Sequence, residues 1–294
     1  ANSIPKLTEL RVFANLVMRG VKVIHRIPVR GSPLEYVQLP VSKGGLGVSC
    51  PRITAMISFL VTILKKLWST DEYIRNLYNE YLKSVVEVET GKKNVTVADL
   101  AYYLSDGKLA NKKPLFGYTC FSRIRDISRG LSMNQDSPLN CFRFVEDNGK
   151  LAIEVKATES GKVKRYTDLH LKKLQQLLKG DVNAAILNRF ITEKPVKSEV
   201  VQVIQQHPGS NSFVRQGGKV SLACHNIIHK ARLNLLNCNY NTYDSNSPKT
   251  CRRCGAENET QWHILQVCPY SWGRWITHRH DAVLYRVKEL IESG

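Results

Sequence analysis

Cys251, Cys254, His263 and Cys268 fall in the spacing C-x2-C-x8-H-x4-C. Two cysteines separated by two residues reach one ion from a tight turn, and Gly255 directly after them suits the backbone twist of such a turn. The run Thr260 to Val267 reads as a short helix, with His263 near its start and Cys268 just past its end. Four soft or borderline donors with no spare position describe a closed tetrahedral site for one structural zinc ion. The competing explanation is a set of ordinary reduced cysteines beside an unrelated histidine. A C-x-x-C alone would leave that open, but the fourfold spacing favours zinc.

Other constellations carry less chemistry. His225 and His229 stand one helical turn apart, as in a zinc-protease signature, but the general-base glutamate is replaced by Asn226. With Leu222, Ile228 and Leu235 around them, the two histidines read as structural or phosphate-facing. There is no Asp-Asp pair for two-metal catalysis, no G-x-S-x-G and no P-loop, so no catalytic residue is assigned. After the cysteines come Trp272-Gly273-Arg274-Trp275 and His278-Arg279-His280-Asp281. Aromatics interleaved with arginine beside a zinc module read as a nucleic-acid surface, with at least one tryptophan expected in the core. Asp281 is also a good N-cap for a helix from Ala282. A self-sufficient nuclease using His278, His280 and Asp281 as metal ligands is the weakest reading, because no second carboxylate cluster follows.

The 294-residue chain is long enough for about two domains with a sizeable core. Its 43 Lys and Arg against 25 Asp and Glu leave a formal charge of +18, which attracts polyanions, nucleic acid first. An anionic membrane ranks lower, since no lipidation motif or long amphipathic anchor accompanies the charge. The longest mostly apolar run, Ile53 to Leu64, is too short to span a bilayer. Five of the eight cysteines lie outside the zinc motif and lack framework spacing, which favours a reducing compartment, cytosol or nucleus. A start at Ala1 and an abrupt stop at Gly294 lead us to expect a piece of something longer.

The elements that must position these residues are mostly helices. Leu7, Leu10, Phe13, Leu16 and Val17 predict one buried face over 1–24. Gly44, Gly45 and Gly47 mark a loop where backbone comes close to something else, but without the spacing of a phosphate-binding loop. Ile53, Ile57, Leu60, Leu64 and Leu67 predict a helix over 52–68. Ser69 with Glu72, and Thr96 with Asp99, read as capping boxes for the next two helices. Tyr73, Tyr78 and Tyr81 read as packing on the first of these. Asn148-Gly149 between alternating apolar residues predicts a β-hairpin over about 141–156. Helices then follow at about 168–179, 181–191, 197–206 and 220–236. The fold class is mainly α, with one hairpin and a small zinc knuckle.

Leu39-Pro40-Val41, Gly44-Gly45-Leu46-Gly47-Val48, the zinc motif enclosing Glu259-Thr260-x-x-His263-Ile264-Leu265-Gln266, and Arg279-His280-Asp281 together resemble one family. They look like the C-terminal part of the polyprotein of non-LTR retrotransposons with a restriction-like endonuclease, the class that inserts into ribosomal RNA genes. The resemblance is anchored over roughly residues 25–60 and 210–285. It implies a thumb-like region at 1–90, a basic helical linker with the hairpin at 91–207, a helix leading to the knuckle at 208–250, the CCHC knuckle at 251–268 and the start of the endonuclease at 269–294. It further implies a binding fragment with the polymerase palm and main endonuclease residues elsewhere, so that magnesium belongs only to the parent enzyme. The expected partners are target DNA, element RNA and the rest of the same polyprotein, with no membrane. Action is expected in the nucleus, or in the cytoplasm before import. The candidate contacts are Arg252, Arg253, Arg274, Arg279 and His280 at the knuckle, with Lys112, Lys113, Arg123 and Arg125 in two basic segments. The alternative from another class is a stand-alone zinc-binding regulator of DNA or RNA without a polymerase partner.

Overall fold

The structure, a computed structural model, describes residues 7–29, 31–105, 119–132, 142–156, 163–167, 171–214, 220–242 and 246–292. The chain divides into two compact units. The first comprises Ala1–Val21 with Pro33–Ser212, and the second Lys22–Ser32 with Phe213–Gly294. As the hydrophobic spacing requires, the fold is mainly helical, with a small antiparallel sheet in the first unit.

After α1 (Leu7–Ile24) and the short α2 (Leu34–Gln38), α3 (Pro51–Leu67) in the first unit begins with proline at its first turn, where the missing N–H has no partner to lose. It buries Met56, Ile57, Leu60, Ile63, Leu64 and Leu67. Helix α4 (Glu72–Thr90) packs against this stripe, α5 (Val97–Ser105) joins the same core through α4 and α6 (Cys120–Ser132), and α6 and α7 (Leu171–Glu193) also pack on α3. Strands β1 (Phe142–Asp147) and β2 (Lys150–Lys156) close the core with Phe144, Leu151, Ile153 and Val155. Their turn places both Asn148 and Gly149 at positive φ, as a type I′ hairpin demands. A third strand, β3 (Val163–Tyr166), pairs with β2 and is absent from the sequence reading. Glu154 on the central strand is bonded by Arg143 and by Arg165, at 3.0 Å from the latter. Burial works against its ionisation, but the bonds from Arg165 and Arg143 outweigh that and hold the carboxyl below its usual range.

Several local expectations are corrected. The N-cap of α4 is Asp71, whose carboxylate accepts from Ile74 N–H at 3.2 Å. Ser69 instead accepts from Asp71 N–H, forming a turn just upstream. Leu171 to Glu193 is one helix, not two, and α8 (Pro195–Gln206) follows it. Gly180 disfavours a helix interior by about 1 kcal/mol, and burial of Leu174, Leu178, Val182 and Phe190 outweighs it. Helix α1 (Leu7–Ile24) buries Ala14 and Met18 and exposes Phe13 and Leu16, so its inner face is rotated from the expected one. Tyr81 packs on the Phe121 ring at 5.2 Å as expected, but Tyr73 is exposed. Among the described residues no single helix is long and apolar enough to cross a membrane.

The capping box at α5 is reciprocal. Thr96 N–H donates to Asp99 at 2.9 Å, Asp99 N–H donates to Thr96 Oγ1 at 3.3 Å, and Lys92 reaches the same carboxylate at 2.6 Å. The bond from Lys92, followed by those from Thr96, lowers the Asp99 pKa from 3.8 to about 2. A lowered folded-state pKa contributes stability that is complete above the unfolded value and lost as pH falls through the folded one. Asp99→Ala, which breaks the reciprocal box, is therefore expected to reduce stability at neutral pH by about 1 kcal/mol or less, since solvent screens the Lys92 pair. Thermal melts of variant and parent should draw together as pH falls from about 4 and meet only below about 2; a gap undiminished at pH 2 would contradict the assignment.

The glycine loop is packed from within. A Cβ on Gly45 would lie 2.2 Å from the carbonyl oxygen of Leu39, so only glycine fits. Asn211 donates to the carbonyls of Val41 at 2.6 Å and Gly45 at 3.3 Å. The close approach read from sequence is made to the protein's own backbone.

Candidate metal centre and basic cleft

In the second unit the four expected ligands converge. One donor atom from each of Cys251, Cys254, His263 and Cys268 lies within 4.8 Å of the others. The first turn is closed by Gly255 N–H to Cys251 carbonyl at 2.9 Å and by Cys251 N–H to Ala256 carbonyl at 2.7 Å. Gly255 sits at φ +75°, the left-handed conformation that such a turn requires.

The other half is unusual in its winding. His263 and Cys268 are five positions apart, which would set them about 140° apart around an α-helix. Here residues His263–Val267 take π geometry, and Cys268 N–H donates to the His263 carbonyl at 2.8 Å. The wide turn brings both donors to one side. Cys251 Sγ and Cys268 Sγ stand 4.0 Å apart, and Cys254 Sγ lies 3.1 Å from His263 Nε2. Two thiolates on one tetrahedral ion would be about 3.8 Å apart, and a thiolate and an imidazole about 3.5 Å. The donor set therefore fits a single ion. Burial resists thiolate formation at Cys251 and Cys268. Backbone N–H groups outweigh it, those of Cys254 and Arg253 at the first and of Ser271 and Tyr270 at the second, and both thiols are pushed down.

A buried carboxylate braces this turn. Glu259 accepts the Arg252 guanidinium at 2.9 and 3.0 Å and Asn239 N–H at 3.2 Å. Burial opposes its ionisation, but Arg252 and the Asn239 N–H prevail and its pKa is lowered. Arg252 also donates to the Asn237 carbonyl at 2.9 Å. It is thus not a freely projecting arginine, and its removal would strand Glu259. Arg253 lies over the Tyr270 ring at 5.5 Å, and Arg279 donates to the Leu265 carbonyl at 2.8 Å.

Arg252, Arg253, Arg279 and Trp275 line one cleft of about 580 Å³ beside Cys251 and Cys268. Trp272 and Trp275 are both more than half exposed, so neither fills the core. The two basic segments fare differently. Arg123 and Arg125 are buried, and Arg125 is bonded to Glu89 at 2.8 Å, so neither presents a surface to a polyanion. Helix α6 turns Arg125 inward, where the buried carboxylate of Glu89 is its partner. Lys112 and Lys113 lie outside the described residues, as does the side chain of Arg274.

His280 is exposed and pairs with Asp281 at 3.1 Å. The helix carrying it, Thr277–Glu292, starts before Asp281, which therefore is not its cap. Among the described residues, His278, His280 and Asp281 do not form a metal-sized donor group. His225 and His229 on α9 (Leu222–Arg232) face inward, and His229 is fully buried. The sequence reading missed their neighbour: the His25 ring stacks on His225 at 5.3 Å and meets His229 edge-on at 5.5 Å. Burial, then the neighbouring His225, His25 and Arg232, pushes the His229 pKa down to about 3. A lone histidine between two helices gives no local signal of such a partner.

The chain is 54% identical over 239 residues to a Caenorhabditis elegans protein, T26G10.4, covering 81% of this chain and 69% of the relative. No solved structure matches it. The T26G10.4 domain matches residues 57–235, which take in the helical core and α9 and stop short of the cysteine cluster. Over that span, more than half of its length, the chain belongs to the T26G10.4 domain family.

Proposed function

We propose that this chain is a nucleic-acid-binding protein whose grip is organised by one structural zinc ion at Cys251, Cys254, His263 and Cys268. The observation that carries the reading is the cleft beside those ligands, where Arg252, Arg253, Arg279 and Trp275 meet in a chain of net charge +18. The zinc fixes the turn, the arginines meet phosphates, and exposed Trp272 and Trp275 offer faces on which bases stack. In the retrotransposon reading the chain is the connector of a polyprotein that performs target-primed reverse transcription. It holds element RNA and target DNA in the nucleus while the catalytic centres lie elsewhere. By itself it would neither extend a primer nor nick DNA.

A second reading is the free-standing zinc-binding regulator. It is favoured by the relative's size: the 239 matched residues are 69% of that protein, which leaves room for about one further small domain. A polymerase palm encoded upstream of residue 1 would exclude it.

The test of the grip uses Arg253→Ala, because Arg252 also holds Glu259. Binding to duplex DNA and to structured RNA is measured against salt. The variant should bind every sequence more weakly, with its salt slope reduced by about one unit for each lost phosphate contact. Its zinc content and melting should match the parent, since an exposed charge contributes little to folding. Arg252→Ala should weaken binding and melt earlier as well. Unchanged affinity and slope in Arg253→Ala would move the grip away from the cleft.

A further inference from the structure

We infer that the second unit holds a second metal site, made by His25, His225 and His229 and suited to a borderline divalent transition cation such as zinc. One ring nitrogen from each histidine lies within 4.8 Å of the other two. Nε2 of His225 and Nε2 of His229 stand 3.4 Å apart. Two imidazoles bound at 2.0–2.1 Å to one tetrahedral ion have their nitrogens about 3.3–3.4 Å apart. The pair is already at the separation a shared ion imposes.

The scaffold is built for that pair. Positions 225 and 229 lie one turn apart on α9, so both rings leave the same face of the helix. Ser221 caps the helix through Cys224 N–H at 3.2 Å. Phe213 packs against both rings, at 5.4 and 5.7 Å, and excludes water from one side. His25 comes from a separate turn. That turn is fixed by Ile27 N–H to the Lys22 carbonyl at 2.9 Å and by buried Lys22 donating to the Ser32 carbonyl at 2.8 Å. Three imidazoles would thus be held in place before any ion arrives.

Polar accounting favours a ligand. Nδ1 of His25 and Nδ1 of His225 are buried with no hydrogen-bond partner. A buried ring nitrogen without a partner loses its hydration uncompensated; a metal bond at Nδ1 of His25 would recover it, whereas His225, which offers Nε2 to the ion, would keep its Nδ1 as an unpaired N–H. The alternative is a metal-free stack in which His225 and His229 share one proton between their Nε2 atoms. A three-nitrogen set differs from the cysteine cluster in leaving a fourth position for water, and in carrying no thiolate.

The test is a cobalt(II) titration of the whole chain, with bound metal counted after dialysis and read by absorbance. The parent should take up two equivalents. The first should raise the thiolate-to-cobalt band in the near ultraviolet; the second should add only visible ligand-field absorption. His25→Gln and His225→Gln should each take up one equivalent with the thiolate band intact, which also reports that the second unit has folded. Saturation of the parent at one equivalent would overturn the site. So would a second equivalent that raises the thiolate band, or one that survives in either variant.

Discussion

Cys254→Ser is expected to release the structural metal and to unfold residues around 251–268 without dissolving the core of the first unit. The reason is what the knuckle lacks. Apart from Cys251, Cys268, Glu259, His263 and Ser271, few side chains around it are buried, while Trp262, Val267, Tyr270 and Trp272 are exposed. Such a segment has no apolar core with which to offset the conformational entropy of ordering its backbone, about 1–2 kcal/mol per residue. In small zinc modules the metal supplies roughly 10–16 kcal/mol of apparent binding energy that doubles as folding energy. Removing one thiolate should remove most of it. The core cluster of the first unit contains no residue from 213–294, so its own unfolding transition should persist. Metal analysis and limited proteolysis check both halves: the variant should lose stoichiometric zinc and become cleavable within 246–276. Full zinc retention, or unchanged protease resistance, would contradict the ligand assignment.

Glu89→Ala is expected to destabilise the first unit by about 3–5 kcal/mol, as much as truncating a buried aromatic. Glu89 is buried and binds Arg125 at 2.8 Å, Tyr103 Oη at 2.9 Å and Ser122 Oγ at 3.1 Å. The Arg125 guanidinium also lies over the Tyr103 ring at 4.9 Å. Burial pushes the Tyr103 phenol well above its ordinary range, so the hydroxyl donates to Glu89 and stays protonated. Taking the carboxylate away leaves a buried cation with no counter-charge, and that penalty exceeds the value of the pair itself. A double substitution, Glu89→Leu with Arg125→Met, should therefore recover much of the loss. Urea unfolding of the single and double variants decides the matter. Equal destabilisation in both would mean that the network's hydrogen bonds, not its charge balance, hold the core.

What the sequence revealed depended on how local the signal was. The Cys/His cluster was legible because all four residues lie in one short segment whose spacing is itself the geometry. The hairpin was legible because Asn148-Gly149 specifies its turn, and the start of α5 because Thr96 and Asp99 bond each other. The π-turn that delivers His263 and Cys268 to one side was not, since hydrophobic periodicity does not distinguish a wide turn from an ordinary one. Arg123 and Arg125 looked like a basic surface because the carboxylate that binds Arg125 lies a helix and a loop away, on α4. His25 was silent for the same reason: its partners sit on α9. Strand β3 is short and mostly exposed, with Lys164 and Arg165 in its middle, so it lacked the alternation that marks β1 and β2.

As proposed above, a metal-fixed knuckle makes this chain a binder of nucleic acid. The direct measurement is the affinity of the zinc-loaded chain for duplex DNA and structured RNA in low salt, repeated after the metal is removed and again after it is restored. Binding should fall steeply with salt, drop by about tenfold or more without metal and return when zinc is added back. Absence of binding in low salt, or binding of equal strength with and without zinc, would contradict it.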